Sequence, residues 1–266
     1  MPFVLLACVI YITPFPKFNR YIYDNKYFQG RYITMCCTQN CNHQSSCLRI
    51  VPVFQGLDQD ELATIESVTN SSCYKKGDYI FREGEHSDTL FVVHEGLIKL
   101  SKLNEEGKEQ IIRLLFPGDF FGQFALLQNS DHYANAEALE QTTICSIEKS
   151  AFLDTLGKNP TMALHFINAL NNRLFLADEW MSLLSLMEVE KRLARVILLF
   201  FKKVEVRNNE FTLPIPKKDL ASLIGTTPET LSRKLLSFAE QEIIAVKQRR
   251  VIQVLNLDTL KELAGL

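Results

Sequence analysis

Between Tyr74 and Phe152 the chain is cut into short β-prone runs by glycine-bearing turns. The runs are Tyr79–Phe81, Thr89–Val93, Leu97–Lys102, Gln110–Leu115 and Thr142–Ile147, and the turns carry Gly77, Gly84, Gly96, Gly107 and Gly118. Strands this short, separated by residues that reach positive φ without steric cost, predict an antiparallel barrel or roll. With 266 residues the chain has room for such a roll, a connector and a second modest domain. An apolar share of 47% is enough for ordinary cores and argues against wholesale disorder.

The flanks read as helix. Pro52 to Thr69 predicts a short amphipathic helix, with Asp58 as N-cap and Leu62, Ile65 and Val68 on one face. Asn159-Pro160 opens a long helical pattern in which Ile167, Leu170, Leu174, Ala177, Met181 and Leu184 follow heptad spacing. A helix packed only on its own barrel would show the same periodicity. The stripe is narrow, however, and Asn168, Asn171, Asn172, Arg173, Asp178 and Glu179 beside it are polar, which favours a dimer seam. Val189 to Phe201 predicts a further helix, and Phe211 to Pro216 an extended stretch.

The C-terminal pattern is the most informative. Lys217 to Leu223 predicts a short helix, Gly225-Thr226-Thr227 a turn, and Pro228 to Gln241 a second helix capped by Thr227, with Pro228 where its missing N–H is harmless. Ile244–Lys247 and Val251–Leu255 then pair around Gln248-Arg249-Arg250, which completes a winged helix-turn-helix. On the second helix Glu229, Ser232 and Arg233 face outward near the N-terminus, the end that enters a major groove. Arg233 has the fork that matches guanine O6 and N7, Glu229 can accept from cytosine N4, and Ser232 can touch a thymine edge. Thr230, Lys234, Lys217, Lys218 and Lys247 are candidates for phosphate contacts, and Leu231, Leu235 and Phe238 fall on the core side. Charge agrees in sign. The chain is −2 as a whole, yet from residue 188 onward 14 Lys and Arg face 10 Asp and Glu. No Gly-rich phosphate loop, catalytic carboxylate pair or nucleophile motif is visible, so an enzyme is not expected.

Seven cysteines are present, and Cys36, Cys37, Cys41 and Cys47 crowd into a dozen residues. A cluster of this kind without an export signal reads as metal-binding or redox-sensing. Phe3 to Ile12 is apolar but shorter than the roughly 18 residues needed to span a bilayer. We expect residues 1–34 to be an extension upstream of a working start at Met35, and the protein to be cytoplasmic, without a membrane partner.

These segments together resemble the CRP/FNR family. The resemblance is carried by Leu220-Ala-Ser-Leu-Ile-Gly-Thr-Thr-Pro-Glu-Thr-Leu-Ser-Arg233 and, in the roll, by Lys76-Gly-Asp, Arg82-Glu-Gly-Glu, His94-Glu-Gly, Glu106-Gly-Lys-Glu and Phe116-Pro-Gly-Asp-Phe-Phe-Gly, and it covers about residues 47–266. It implies an α+β architecture: an antiparallel, cyclic-nucleotide-binding-like β-roll (51–157), a long dimerisation helix (158–187) and a winged helix-turn-helix (188–266), preceded by a cysteine-rich sensor segment (35–50). It implies a homodimer on palindromic double-stranded DNA, with half-sites of the TTGAT type in the FNR branch, and contact with RNA polymerase. Its Glu-x-x-Ser-Arg signature falls on Glu229, Ser232 and Arg233.

The resemblance also bears on the signal. In the FNR branch three N-terminal cysteines and one late in the roll hold an oxygen-labile [4Fe–4S] cluster. The matching residues are Cys37, Cys41, Cys47 and Cys145, with a first spacing of three residues where two is usual, so Cys36 and Cys37 compete for the first position. Soft thiolates suit iron–sulfur chemistry. Zinc held by four cysteines, or by three with His43, and a reversible disulfide stay open, and Cys145 read by itself is equally an ordinary buried strand cysteine. The cyclic-nucleotide reading is disfavoured: Gln123 stands at the ribose-binding glutamate position, and Asp131-His132-Tyr133-Ala134 lacks the arginine a phosphate needs. Oxygen-labile relatives tend to carry an acidic residue in mid-seam. Here Ala177 stands there, with Asp178 beside it, so we expect a dimer that persists without its cluster.

Overall fold

The computed structural model describes residues 51–54 and 57–266. The extension 1–34 and the segment 35–50, with Cys36, Cys37, Cys41 and Cys47, lie outside the described residues. Helix α1 (Gln59–Ser67) opens with the predicted cap, strengthened into a reciprocal box: Glu61 N donates to Asp58 Oδ1, and Asp58 N donates to Glu61 Oε2, each at 2.8 Å. Leu62 and Ile65 are buried, whereas Val68 is the C-cap and is exposed.

Eight strands form the roll: β1 (Thr69–Tyr74), β2 (Tyr79–Phe81), β3 (Thr89–Glu95), β4 (Ile98–Leu103), β5 (Glu109–Leu115), β6 (Phe120–Phe121), β7 (Asn135–Ala138) and β8 (Thr142–Glu148). They make two antiparallel four-stranded sheets, ordered β1-β8-β3-β6 and β2-β7-β4-β5. Between the sheets lie Phe81, Val93, Ile98, Leu100, Leu115, Phe121, Ala136 and Ile144. The outer face of the first sheet is covered by α1, by the short turn Pro52–Phe54, by α3 (Lys149–Lys158) and by the start of α4 (Pro160–Leu186). The glycines at 77, 84, 96, 107 and 118 all adopt positive φ, as the turn pattern requires.

The period-2 strand geometry sorts neighbours onto opposite faces. Ile144 points between the sheets, and Cys145 points outward into the cluster of Val51, Val53, Phe54, Val92, Phe152 and Phe166. Helix α4 starts at Pro160, with Asn159 Oδ1 accepting from Met162 N at 2.8 Å. Its first turns bury Met162 and Phe166, the latter edge-on to Phe152 at 5.1 Å.

The C-terminal domain contains α5 (Val189–Lys203), β9 (Glu210–Thr212), α6 (Lys217–Leu223), α7 (Pro228–Glu240), β10 (Ile244–Val246), β11 (Val251–Val254) and α8 (Leu257–Ala264). Leu193, Ile197 and Phe200 of α5 and Leu231, Leu235 and Phe238 of α7 are buried in its core. The strands form a wing ordered β10-β11-β9, in which β9 adds a third strand to the predicted hairpin. The domain touches the roll through Ser222 of α6, whose Oγ donates to Glu109 O at 2.9 Å and accepts from Ile111 N at 3.0 Å. Gln110 Nε2 adds a bond to Ser222 O at 2.8 Å.

Candidate DNA-reading surface and sensor face

The turn between α6 and α7 needs its glycine. Gly225 has φ +65°, and a Cβ there would lie 3.2 Å from Arg192 Nη1 and 3.3 Å from Leu184 Cδ2. The same Arg192 Nη1 donates to Ile224 O at 2.7 Å, tying α5 to the turn. Thr227 then caps α7: its Oγ1 accepts from Thr230 N at 3.2 Å and lies 3.1 Å from Thr230 Oγ1.

Glu229, Ser232 and Arg233 are all exposed on the first turns of α7. The Glu229 carboxyl is held below its ordinary value by its own backbone N–H and by the Thr227 hydroxyl, with help from Arg233, so it is an ionised acceptor at neutral pH. The Ser232 hydroxyl donates to Pro228 O at 2.8 Å, which leaves its lone pairs to face outward. Lys218 is exposed and Lys217 half-buried at the start of α6. Two lysines read from the sequence as phosphate contacts are already paired: Lys234 with Glu190 at 2.7 Å and Lys247 with Glu210 at 2.6 Å. Arg249, which the sequence reading treated only as a turn residue, is exposed at the wing tip, while Arg250 donates twice to Leu213 O.

The stripe on α4 divides. Ile167, Leu174 and Met181 are 58%, 62% and 62% exposed, and Ala177 is also exposed. Leu170 is half-buried against the outer core of the roll, and Leu184 is half-buried beside Gly225. Leu164, Phe175, Leu176 and Leu186 widen the exposed apolar surface beyond the sequence-derived stripe.

On the sensor side, Cys145 is 1% exposed in the middle of β8. It sits in the same cluster as Val51 and Val53, only a few residues after Cys47 in the chain. Cys145 therefore lies on the face of the roll that Val51 and Val53 pack against. Among the described residues no group of three or more His, Cys, Asp or Glu could hold a metal ion.

A cyclic nucleotide-binding domain is matched over residues 71–159 and a Crp-like helix-turn-helix domain over residues 191–263. An anaerobic regulatory protein of Aggregatibacter actinomycetemcomitans is 30% identical over 231 residues, covering 85% of this chain and 87% of that protein. The chain belongs to the CRP/FNR family of transcription regulators. The fumarate and nitrate reduction regulatory protein of Vibrio cholerae is 29% identical over 231 residues, covering 85% of this chain and 90% of its own length. Among solved structures, FixK2 from Bradyrhizobium japonicum matches with a TM-score of 0.68 and 26% identity, over 74% of this chain and 97% of its own. This CRP/FNR chain is thus a DNA-binding transcription regulator and not an enzyme. Among the described residues, no helix is long and apolar enough to cross a membrane.

This CRP/FNR roll keeps a cavity of about 40 Å³ beside β6 and α2 (Gln123–Gln128). Gln123, His132 and Tyr133 are in its wall.

Proposed function

We propose that this chain is a cytoplasmic homodimer that binds palindromic DNA through α7 and responds to oxygen or redox state through an N-terminal iron–sulfur site. The observation that carries the DNA half is the capped start of α7, which presents Glu229, Ser232 and Arg233 together on an exposed face. Arg233 would read a guanine, Glu229 a cytosine and Ser232 a thymine edge. Thr230, Lys217, Lys218 and the wing's Arg249 would meet phosphates and set register without reading sequence. Two such helices related by a two-fold axis match a palindrome. The exposed Ile167, Leu174, Ala177 and Met181 on α4 supply the seam, joined at its edges by the half-buried Leu170 and Leu184. RNA polymerase is the downstream partner by family resemblance.

The sensing half rests on the place of Cys145, whose soft sulfur lies on the face that Val51 and Val53 pack against, a few residues after Cys47 in the sequence. Cys37, Cys41, Cys47 and Cys145 would hold a [4Fe–4S] cluster, and such a group when bound supplies oxygen-sensitive redox chemistry. The relatives named as anaerobic and fumarate–nitrate regulators favour this over zinc or a disulfide. With uncharged Ala177 at the seam, the dimer persists in the metal-free protein. A monomer in sedimentation at micromolar concentration would overturn that statement.

The test is iron and acid-labile sulfide content in protein purified without oxygen, with the visible spectrum followed as air enters. About four of each per chain, bleaching in air, is the expected result for a [4Fe–4S] site. Zinc or a disulfide in their place overturns the iron–sulfur reading and leaves the DNA reading intact. The DNA reading is tested by salt-dependent anisotropy on a TTGAT palindrome against a scrambled duplex.

A further inference from the structure

The outward face of α7 carries one side chain that hydrogen bonding does not account for. Leu236 is 60% exposed. It is the most exposed large apolar side chain of the C-terminal domain, and the others there, Val246 and Leu255, are in or beside the wing strands. Single exposed leucines are ordinary on protein surfaces, so it is the place of Leu236 on its helix that calls for an account. An α-helix turns by about 100° per residue. Seven residues beyond Glu229, Leu236 therefore returns to within about 20° of it around the axis, between Ser232 and Arg233. The buried Leu231, Leu235 and Phe238 lie on the opposite side, in the core of the domain. Along the axis Leu236 stands about 4.5 Å past Arg233 and about 6 Å past Ser232. One turn further on, the same face ends at the exposed Glu240.

A residue at the centre of a reading face can either exchange hydrogen bonds or bury apolar surface. Phosphate oxygens take donors, which a leucine lacks, so Leu236 cannot set register on the backbone. The donors and acceptors on the base edges are closed to it for the same reason. One group displayed in the major groove is apolar, the C5-methyl of thymine. A leucine packed on that methyl removes two apolar surfaces from water at once. Glu240 has the wrong sign for the phosphate backbone, so the stripe suited to DNA runs from Glu229 to Leu236 and stops there.

We propose that Leu236 is a specificity-determining residue that packs against the C5-methyl group of one thymine in each half-site. This inference rests on the reading of α7 as the DNA-contacting helix. The thymine lies within roughly one or two base pairs of the guanine taken by Arg233, because about 4.5 Å along the helix is a little more than one step of about 3.4 Å. Glu229, Ser232 and Arg233 then read hydrogen-bonding edges, while Leu236 separates thymine from cytosine by its methyl. Cytosine at that position would turn its N4 amino group toward a side chain that cannot accept from it.

The experiment uses the full-length protein and the TTGAT palindrome. Each thymine, on either strand, is replaced in turn by deoxyuridine at the same position of both half-sites. The replacement removes the methyl and leaves every pairing edge intact. The expected result is one position at which deoxyuridine weakens binding by about fourfold per half-site, the contribution of one buried methyl group. Leu236→Ala places the strongest helix former at an exposed position. It should bind the thymine and deoxyuridine duplexes equally, with its melting temperature and its affinity for a scrambled duplex unchanged. Insensitivity to deoxyuridine at every position overturns the proposal, and so does a sensitivity that Leu236→Ala retains. In both of those cases a preference for the palindrome over the scrambled duplex leaves α7 as the reading helix. Absence of that preference in the native protein overturns the DNA reading and this inference together.

Discussion

The winged helix-turn-helix and the roll handle their buried polar groups differently. In the C-terminal domain Arg192 anchors the turn at Ile224, Arg195 donates to Ala264, Arg250 donates to Leu213, and Lys234 and Lys247 have acidic partners. Among the described residues, buried side-chain atoms without a partner lie more in the roll and on α1 and α4, at Glu66, Ser130, His132, Arg173 and Trp180, while in the C-terminal domain Arg192 keeps its Nε unpartnered beside the bond its Nη1 makes. The lesson is one of division of labour. A reading head must keep its geometry whatever the signal, whereas a sensor gains from groups that a ligand or a neighbouring chain can complete.

The largest effect that bears on this contrast comes from the cores. Phe238→Ala in the reading head and Phe152→Ala in the outer core of the roll should each cost about 3–5 kcal/mol. Calorimetry should show whether the loss appears in one transition or in separate ones. If the Ser222 contacts make one cooperative unit, both variants lower the same transition. Next in size is Arg233→Ala, expected to weaken specific binding by about 1–3 kcal/mol per half-site while non-specific binding hardly moves. Equal losses on specific and scrambled duplexes would assign Arg233 to phosphate instead. Gly225→Ala combines a positive φ with two close neighbours and should destabilise by about 1 kcal/mol or more, read by denaturant midpoint. A neutral outcome would break the claim that the reading head is rigidly specified at its turn.

The smallest effect tests the contact between the two regions through pH. Burial raises the carboxyl of Asp219 on α6, near the Lys99, Glu109 and Glu137 cluster of the roll. The folded protein therefore holds this proton more tightly than the unfolded chain does. The cost is absent well below the ordinary value of 3.8 and grows as pH rises through the elevated folded value. Asp219→Asn should be neutral or slightly stabilising at pH 7, with the difference from the native protein vanishing toward pH 4. A variant destabilised at pH 7 would mean that the ionised carboxylate is a partner the contact requires.

Much of this was legible in the sequence, for reasons of locality. The cap of α7, its N1 proline, the turn glycine and the outward Glu229, Ser232 and Arg233 depend on residues within a few positions of one another. The same holds for the Asp58 cap and for the glycine turns, while the partner role of Glu61 in that cap came from the structure. Elements set by distant partners were not legible. Strand β1, Thr-Asn-Ser-Ser-Cys-Tyr, has no apolar alternation because it is an edge strand, made a strand by pairing Thr69 to Tyr74 with Ile147 to Thr142 of β8. Strand β7 buries Ala136 and Ala138, whose small side chains give no β signal. The orphaned nitrogens of Arg173 and His132 are likewise products of tertiary packing; in the sequence Arg173 reads as a polar residue flanking the seam. The ion pairs that occupy Lys234 and Lys247 were hidden for the same reason.

Helix α4 is pinned at one end and long. Asn159 closes its first turn and donates to Glu61 of α1, so the helix cannot grow backward into the roll. Its 27 residues extend about 40 Å from that pin. A lever of this length turns a tilt of about 5° at the capped end into a displacement of about 3–4 Å at Leu186. That travel exceeds the tolerance of any hydrogen bond. Ser222 grips strand β5 through bonds of 2.9 and 3.0 Å, so a pivot too small to disturb the packing around Phe166 would be large enough to unhook the reading head from the roll.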